Sequence, residues 1–184
     1  MPIQIALLRG INVGGKNTIA MAELKAAFRS AGFDDAVTYI NSGNVLFSSD
    51  EDALQLKETC EALIESTFAL AIDVVVISAS ELAEALAAAP EGWGQEAKYK
   101  HNAIFVIPPA DSEQVCVDAG EIKPEYESLA FHGNVIFWSA PQETFSKTRW
   151  STISKRKAYK MITIRNANTA RKLLSIAEGM QDVV

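Results

Sequence analysis

Gly10-Ile11-Asn12-Val13-Gly14-Gly15-Lys16 has the G-x-x-x-x-G-K spacing of a phosphate-cradling loop, and it directly follows the apolar run from Ile3 to Leu8. In such a loop, backbone N–H groups turn toward phosphate oxygens and the lysine neutralises their charge. The next position, where a magnesium-holding Ser or Thr belongs, is Asn17, with Thr18 one place late. Helical periodicity starts only at Met21, which displaces the helix N-terminus from the loop. The pattern therefore favours a loop that offers Arg9, Asn12, Lys16 and the N–H groups of Gly14 and Gly15 to an anion. Nucleotide-dependent phosphoryl transfer is the weaker alternative. A tight strand-to-helix connection that needs glycine for its φ angles would use the same residues with no ligand at all.

Two further polar segments carry similar chemistry. Asn41-Ser42-Gly43-Asn44 is a turn of amide and hydroxyl groups between two apolar runs. Arg165-Asn166-Ala167-Asn168-Thr169 stands between an apolar run and a helical pattern, so Arg165 and Asn166 form a second candidate anion contact. The ligand expected across these loops is a small molecule bearing phosphate or carboxylate. A helix cap beside a surface arginine explains the second segment equally well.

Charge is unevenly distributed. The 184 residues hold 17 Lys+Arg and 23 Asp+Glu, a net −6. Residues 147–172 nevertheless contain Lys147, Arg149, Lys155, Arg156, Lys157, Lys160, Arg165, Arg171 and Lys172, together with Trp150 and Tyr159, and no acid. A basic stretch with aromatics is the footprint of a phosphate-bearing partner, so nucleic-acid binding through 147–172 is an alternative function. Acids elsewhere in the fold could balance it, and the overall acidity repels polyanions at long range.

Catalytic and metal patterns find little support. Cys60 and Cys116 belong to no C-x-x-C pair, and Cys60 falls on the apolar face of a helical pattern. Two unpaired thiols with no visible secretory signal fit a cytoplasmic protein. Ser154-Lys155-Arg156-Lys157 matches S-x-x-K, but its basic neighbours oppose the dry pocket a catalytic lysine needs. His101 and His132 are isolated, Asp34-Asp35 and Asp50-Glu51-Asp52 read as turn and helix-start acids, and Ser42 has no base nearby in sequence. No metal site and no cofactor are expected. The longest uncharged run, Ser128 to Gln142, is 15 residues of mixed polarity, too short for a membrane span.

The elements that must position these groups follow from periodicity. Ile3–Leu8, Val37–Ile40, Val45–Phe47, Val74–Ile77, Ala103–Ile107, Leu129–Phe131, Val135–Trp138 and Met161–Ile164 read as strands. Helices are expected from Met21 to a stop at Gly32, from Asp50 to Phe68, from the capping box Ser78-Ala79-Ser80-Glu81 to Pro90, over Ser112–Ala119, from Thr144 onward, and after Asn166 or Asn168. Gly43-Asn44-Val45-Leu46-Phe47 recurs as Gly133-Asn134-Val135-Ile136-Phe137, 90 residues later, and Ile72 and Val74 match Ile162 and Ile164 at the same offset. Repeat and element order together predict an internal duplication. The expected fold is α+β: two tandem ferredoxin-like (βαββαβ) units, each with helices on one face of a mainly antiparallel sheet. The expected boundaries are 1–90 for the first unit with its glycine-rich loop 9–20, 91–102 for a linker, and 103–184 for the second unit. Right-handed crossovers make the first two strands of a unit parallel, so loop 9–16 and turn 41–44 should meet on one sheet edge.

Three blocks, with Met21 and Leu24 between the first two, carry a resemblance: Ala6-Leu7-Leu8-Arg9-Gly10-Ile11-Asn12-Val13-Gly14-Gly15-Lys16-Asn17, Thr38-Tyr39-Ile40-Asn41-Ser42-Gly43-Asn44-Val45 and Thr163-Ile164-Arg165-Asn166-Ala167-Asn168-Thr169. With these the chain resembles, end to end, an uncharacterised bacterial family, the domain of unknown function numbered 1697. The resemblance implies a ferredoxin-like α/β arrangement and a cytoplasmic protein, and it implies no activity. Its blocks coincide with the polar loops singled out above on chemical grounds.

Overall fold

A computed structural model describes residues 1–181; residues 182–184, the end of the expected second unit, lie outside the described residues. The chain folds as two units. The first holds Met1–Ala83 with the end of the last helix from Leu173, and the second holds Glu84–Lys172. Each contains one four-stranded antiparallel sheet, and the class is mixed α+β.

In the first unit β1 (Ile3–Leu8) lies between β3 (Asn44–Ser48) and β4 (Val74–Ser78), with β2 (Val37–Tyr39) on the edge beside β3. The register pairs Leu7 with Asn44 and Leu8 with Val74, which brings the end of β1 to the start of β3. Alternate residues Ala6, Leu8, Val45, Phe47, Val74 and Val76 face α1 (Met21–Ser30) and α2 (Ala53–Phe68). These helices contribute Leu24, Phe28, Leu56, Cys60 and Ile64, each fully buried, at the 3.6-residue period. Phe28, Phe33 and Phe47 form a tilted aromatic trio with centroids 4.4–5.8 Å apart. Asp52 caps α2, its Oδ1 accepting from the N–H groups of Leu54 and Gln55. Burial pushes the Cys60 thiol up to about 12, with the charges of Glu61 and Glu51 adding to it, so this cysteine is an inert core residue.

After β4 the sequence Ser78-Ala79-Ser80-Glu81 closes the expected capping box. The Glu81 carboxylate accepts from the Ser78 N–H at 2.9 Å, and Ser78 Oγ accepts from the Glu81 N–H at 3.2 Å. The helix it opens, α3, covers Ala79–Ala87 and stops three residues before Pro90.

In the second unit β5 (Tyr99–Val106) lies between β7 (Val135–Pro141) and β8 (Ile162–Asn166), with β6 (Ser128–His132) on the edge. β5 starts at Tyr99 rather than Ala103, because Tyr99, Lys100 and His101 pair with Pro141, Ala140 and Ser139. One face carries Ile104, Val106, Ile136, Trp138, Ala140 and Ile162 against α4 (Ser112–Ala119). The helix expected from Thr144 is instead three 3₁₀ turns, Gln142–Lys147, Trp150–Lys155 and Lys157–Met161, whose Trp150, Ile153 and Ala158 complete that core. The break has a cause distant in sequence. Glu127, 5% exposed, accepts from the N–H groups of Arg149 (2.6 Å) and Trp150 (3.3 Å), which takes both donors away from any helix ladder. α5 (Ala167–Gln181) ends the described chain, with Asn166 Oδ1 accepting from the Thr169 N–H at its start. No helix among the described residues is long and apolar enough to cross a membrane.

Candidate functional site

The loop after β1 is a small hairpin of its own. Val13 and Lys16 form a bridge, the Lys16 N–H donates to the Val13 carbonyl at 3.0 Å, and Gly14 and Gly15 both lie at positive φ (58° and 72°). That is a two-residue turn of the type whose central positions both demand left-handed backbone. Lys16 stands exposed on it, and α1 begins five residues later, so Lys16 does not lead into a helix N-terminus. The N–H groups of Gly14 and Gly15 donate to no described residue.

Asn12 holds this loop to the β2–β3 turn. Its Nδ2 donates to the carbonyls of Ile19 and Asn41, both at 2.9 Å, and its Oδ1 accepts from the Ile19 N–H at 2.9 Å. The Leu8 N–H also donates to the Gly43 carbonyl at 2.8 Å. The two polar loops thus meet. Asn12 therefore serves as a clasp, with both amide hydrogens committed inside the protein. Asn44 is similar: fully buried, it donates to the Tyr39 carbonyl at 2.8 Å and to Ser42 Oγ at 3.0 Å. Asn41, Gly14, Gly15 and Lys16 are exposed, and the half-buried Arg9 donates its backbone N–H to the Asp73 carbonyl. Asn12 takes a left-handed backbone, φ +54°, a state asparagine tolerates in turns.

In the second unit Arg165 is 5% exposed, not a surface arginine. Its Nη1 donates to Thr163 Oγ1 and to the Ile164 carbonyl, both at 2.9 Å, and burial lowers its pKa to about 10, which leaves it charged at neutral pH. Asn166 is exposed and caps α5. Asn166 and Asn168 line a cavity of about 620 Å³ together with Lys100, His101, Asn102 and Gln142. His101 Nδ1 lies 2.7 Å from Ser139 Oγ, and its ring stacks on Tyr99. Burial lowers the His101 pKa, with the Arg171 charge adding to it and Glu96 opposing. Ser139 does not line the cavity, so the pair does not present a nucleophile to it. Lys100 Nζ sits 3.8 Å from the centre of the Phe145 ring.

The basic stretch divides by environment. Arg165 is buried, and Arg171 donates to the Trp93 and Gly94 carbonyls beneath a cation–π contact with Trp93. Lys155, Arg156, Lys157 and Lys160 are exposed and pair with no described carboxylate. No group of His, Cys, Asp and Glu among the described residues is arranged to hold a metal ion.

Comparison with known proteins gives a family and a fold relative. A family model described as "Protein of unknown function (DUF1697)" matches residues 1–137. The conserved bacterial protein SP0830 from Streptococcus pneumoniae is similar in structure, with a TM-score of 0.85 and 31% sequence identity over 96% of this chain and 98% of that one. No curated protein matches the chain.

Proposed function

This chain belongs to the family of proteins of unknown function DUF1697, and for it we propose a binding role: the paired loops of the first unit hold a small ligand bearing phosphate or carboxylate. The supporting observation is the Asn12 clasp, which ties loop 9–20 to the 41–44 turn through bonds of 2.9 Å. A loop fixed in this way loses little entropy when it meets a ligand. It offers the successive N–H groups of Gly14 and Gly15, the ammonium of Lys16 and the guanidinium of Arg9, all of which suit an anion. Asn12, Ser42 and Asn44 act as the frame of this site, Asn41 as part of its outer wall, and Arg165 with Asn166 as the corresponding polar segment of the second unit.

In the same reading the two units are tandem ferredoxin-like folds that arose by duplication. The equivalent strand orders β2-β3-β1-β4 and β6-β7-β5-β8 support this, as does the recurrence of Gly-Asn where the chain enters β3 and β7. In that reading the repeats begin at β1 and β5, so the second opens at Tyr99. Two unpaired thiols support a reducing, cytoplasmic setting.

A thermal-shift series with inorganic phosphate and a panel of phosphorylated and carboxylated metabolites, at constant ionic strength, tests the binding role. Saturating ligand should raise the melting temperature by roughly 5 °C or more. Lys16→Ala, on an exposed hairpin, should fold normally and lose most of that rise. An equal rise in wild type and Lys16→Ala for every compound would remove the loop from consideration.

A further inference from the structure

A second concave surface lies in the second unit, far along the sequence from the loops just described. Lys123, Arg149, Lys155 and Arg156 line a cavity of about 430 Å³ together with Ser146, Thr148 and Thr152. No acidic residue lines it. Behind the wall Glu127 is buried, its Oε1 accepting from the Lys123 and Arg149 N–H groups and its Oε2 from Trp138 Nε1 and the Trp150 N–H. One buried negative charge against four cations leaves a surplus of positive charge around the space. Like charges gathered without counter-charges repel one another, and an anion in the cavity removes that repulsion.

Two of the cations are already oriented. Arg149 Nε donates to the Glu121 carbonyl at 3.1 Å, and Lys123 Nζ donates to the Lys147 carbonyl at 2.9 Å. Arg149 is half-buried, and the fork of its terminal amino groups meets no hydrogen-bond partner among the described residues. Thr148 and Thr152 turn their hydroxyl hydrogens back onto the carbonyls of Phe145 and Arg149, which stiffens the wall. Lys155 and Arg156 are exposed at the rim, in no ion pair with any described residue.

We infer that this basic cavity, built by the 3₁₀ turns around Arg149, Lys155 and Arg156 with Lys123 opposite, binds a ligand through a multiply charged phosphoryl group, a phosphomonoester or a pyrophosphate. Two arginines match the planar, bidentate geometry of phosphate oxygens, and four cations exceed what one carboxylate needs. The lining holds no aromatic side chain. Sequence-independent binding of single-stranded nucleic acid relies on aromatic platforms for base stacking, so a compact phosphate ligand fits the cavity better than a polynucleotide.

Calorimetric titration with inorganic pyrophosphate at constant ionic strength tests this. It is run on full-length protein carrying Lys16→Ala, so that the first-unit loops do not contribute. Lys155→Gln with Arg156→Gln removes two rim charges from exposed positions. Lys157→Gln with Lys160→Gln removes the same charge just outside the cavity. Pyrophosphate affinity should fall roughly tenfold or more in the first pair and less than about threefold in the second, with melting temperatures of both pairs unchanged. Equal losses in the two pairs would reduce the effect to diffuse charge and overturn the site. Undetectable pyrophosphate binding would overturn it as well, as would a single-stranded oligonucleotide that binds this surface and is not displaced by pyrophosphate.

Discussion

Glu127→Ala is expected to lower the melting temperature by roughly 8–15 °C, the largest effect of any substitution outside the apolar core. The carboxylate is 5% exposed and accepts four hydrogen bonds, from the N–H groups of Lys123, Arg149 and Trp150 and from Trp138 Nε1. Alanine leaves four donors with no acceptor in a site too buried for easy hydration. Each such donor costs about 1–3 kcal/mol, partly relieved by relaxation. A net loss of about 3–5 kcal/mol in a protein of this size corresponds to the stated shift. Glu127→Gln keeps one acceptor oxygen but turns an NH₂ toward donors, so it should fall between. Differential scanning calorimetry of the three proteins decides the matter. A Glu127→Ala protein within about 2 °C of wild type would mean that water replaces the carboxylate and that the 3₁₀ segment stands without it.

Gly43→Ala should destabilise by about 2–4 kcal/mol, with equilibrium denaturation as the readout. Gly43 has φ +81°, and an added Cβ would lie 2.6 Å from Ile11 Cδ1 and 2.9 Å from Leu8 Cβ. The Leu8 contact cannot be relieved by a rotamer change, because Cβ is fixed to the backbone of β1. The same backbone donates its N–H to the Gly43 carbonyl, so movement on either side breaks a bond of 2.8 Å. Adding Ile11→Ala should recover part of the loss, since it deletes the closest atoms, and the double mutant should be less destabilised than the sum of the singles. Strict additivity would locate the cost in the backbone angle and the Leu8 contact, with none from Ile11.

Much of the scaffold could be read from the residue pattern. The apolar period of Leu24, Phe28, Leu56, Cys60 and Ile64 gives the buried faces of α1 and α2, and Ser78 with Glu81 gives a helix start atom by atom. These signals are local, so neighbouring residues suffice to decide them. Residues 142–161 were illegible for the opposite reason. Their 3₁₀ path depends on Glu127, about 20 positions earlier, which in sequence looks like any surface acid. Topology predicted that loop 9–16 and turn 41–44 would meet. Residue type could not separate Asn12 and Asn44, whose amides hold the protein together, from Lys16, whose charge faces outward. Asparagine has the same donors in either role, and only the position of the acceptors decides. Arg165 shows the same limit: a basic residue beside a helix start reads as exposed, and its burial against Thr163 is a product of β8 packing.

The binding role of the first unit is most directly tested by residue-resolved NMR of the amide groups during titration with inorganic phosphate. The Lys155→Gln, Arg156→Gln protein is the right one to use, because its second-unit cavity is disabled. Progressive, saturable shifts confined to Gly14, Gly15, Lys16 and their neighbours in loop 9–20 and turn 41–44 are the predicted result. Amides there that stay unmoved at millimolar phosphate, or that move without saturating, would contradict it.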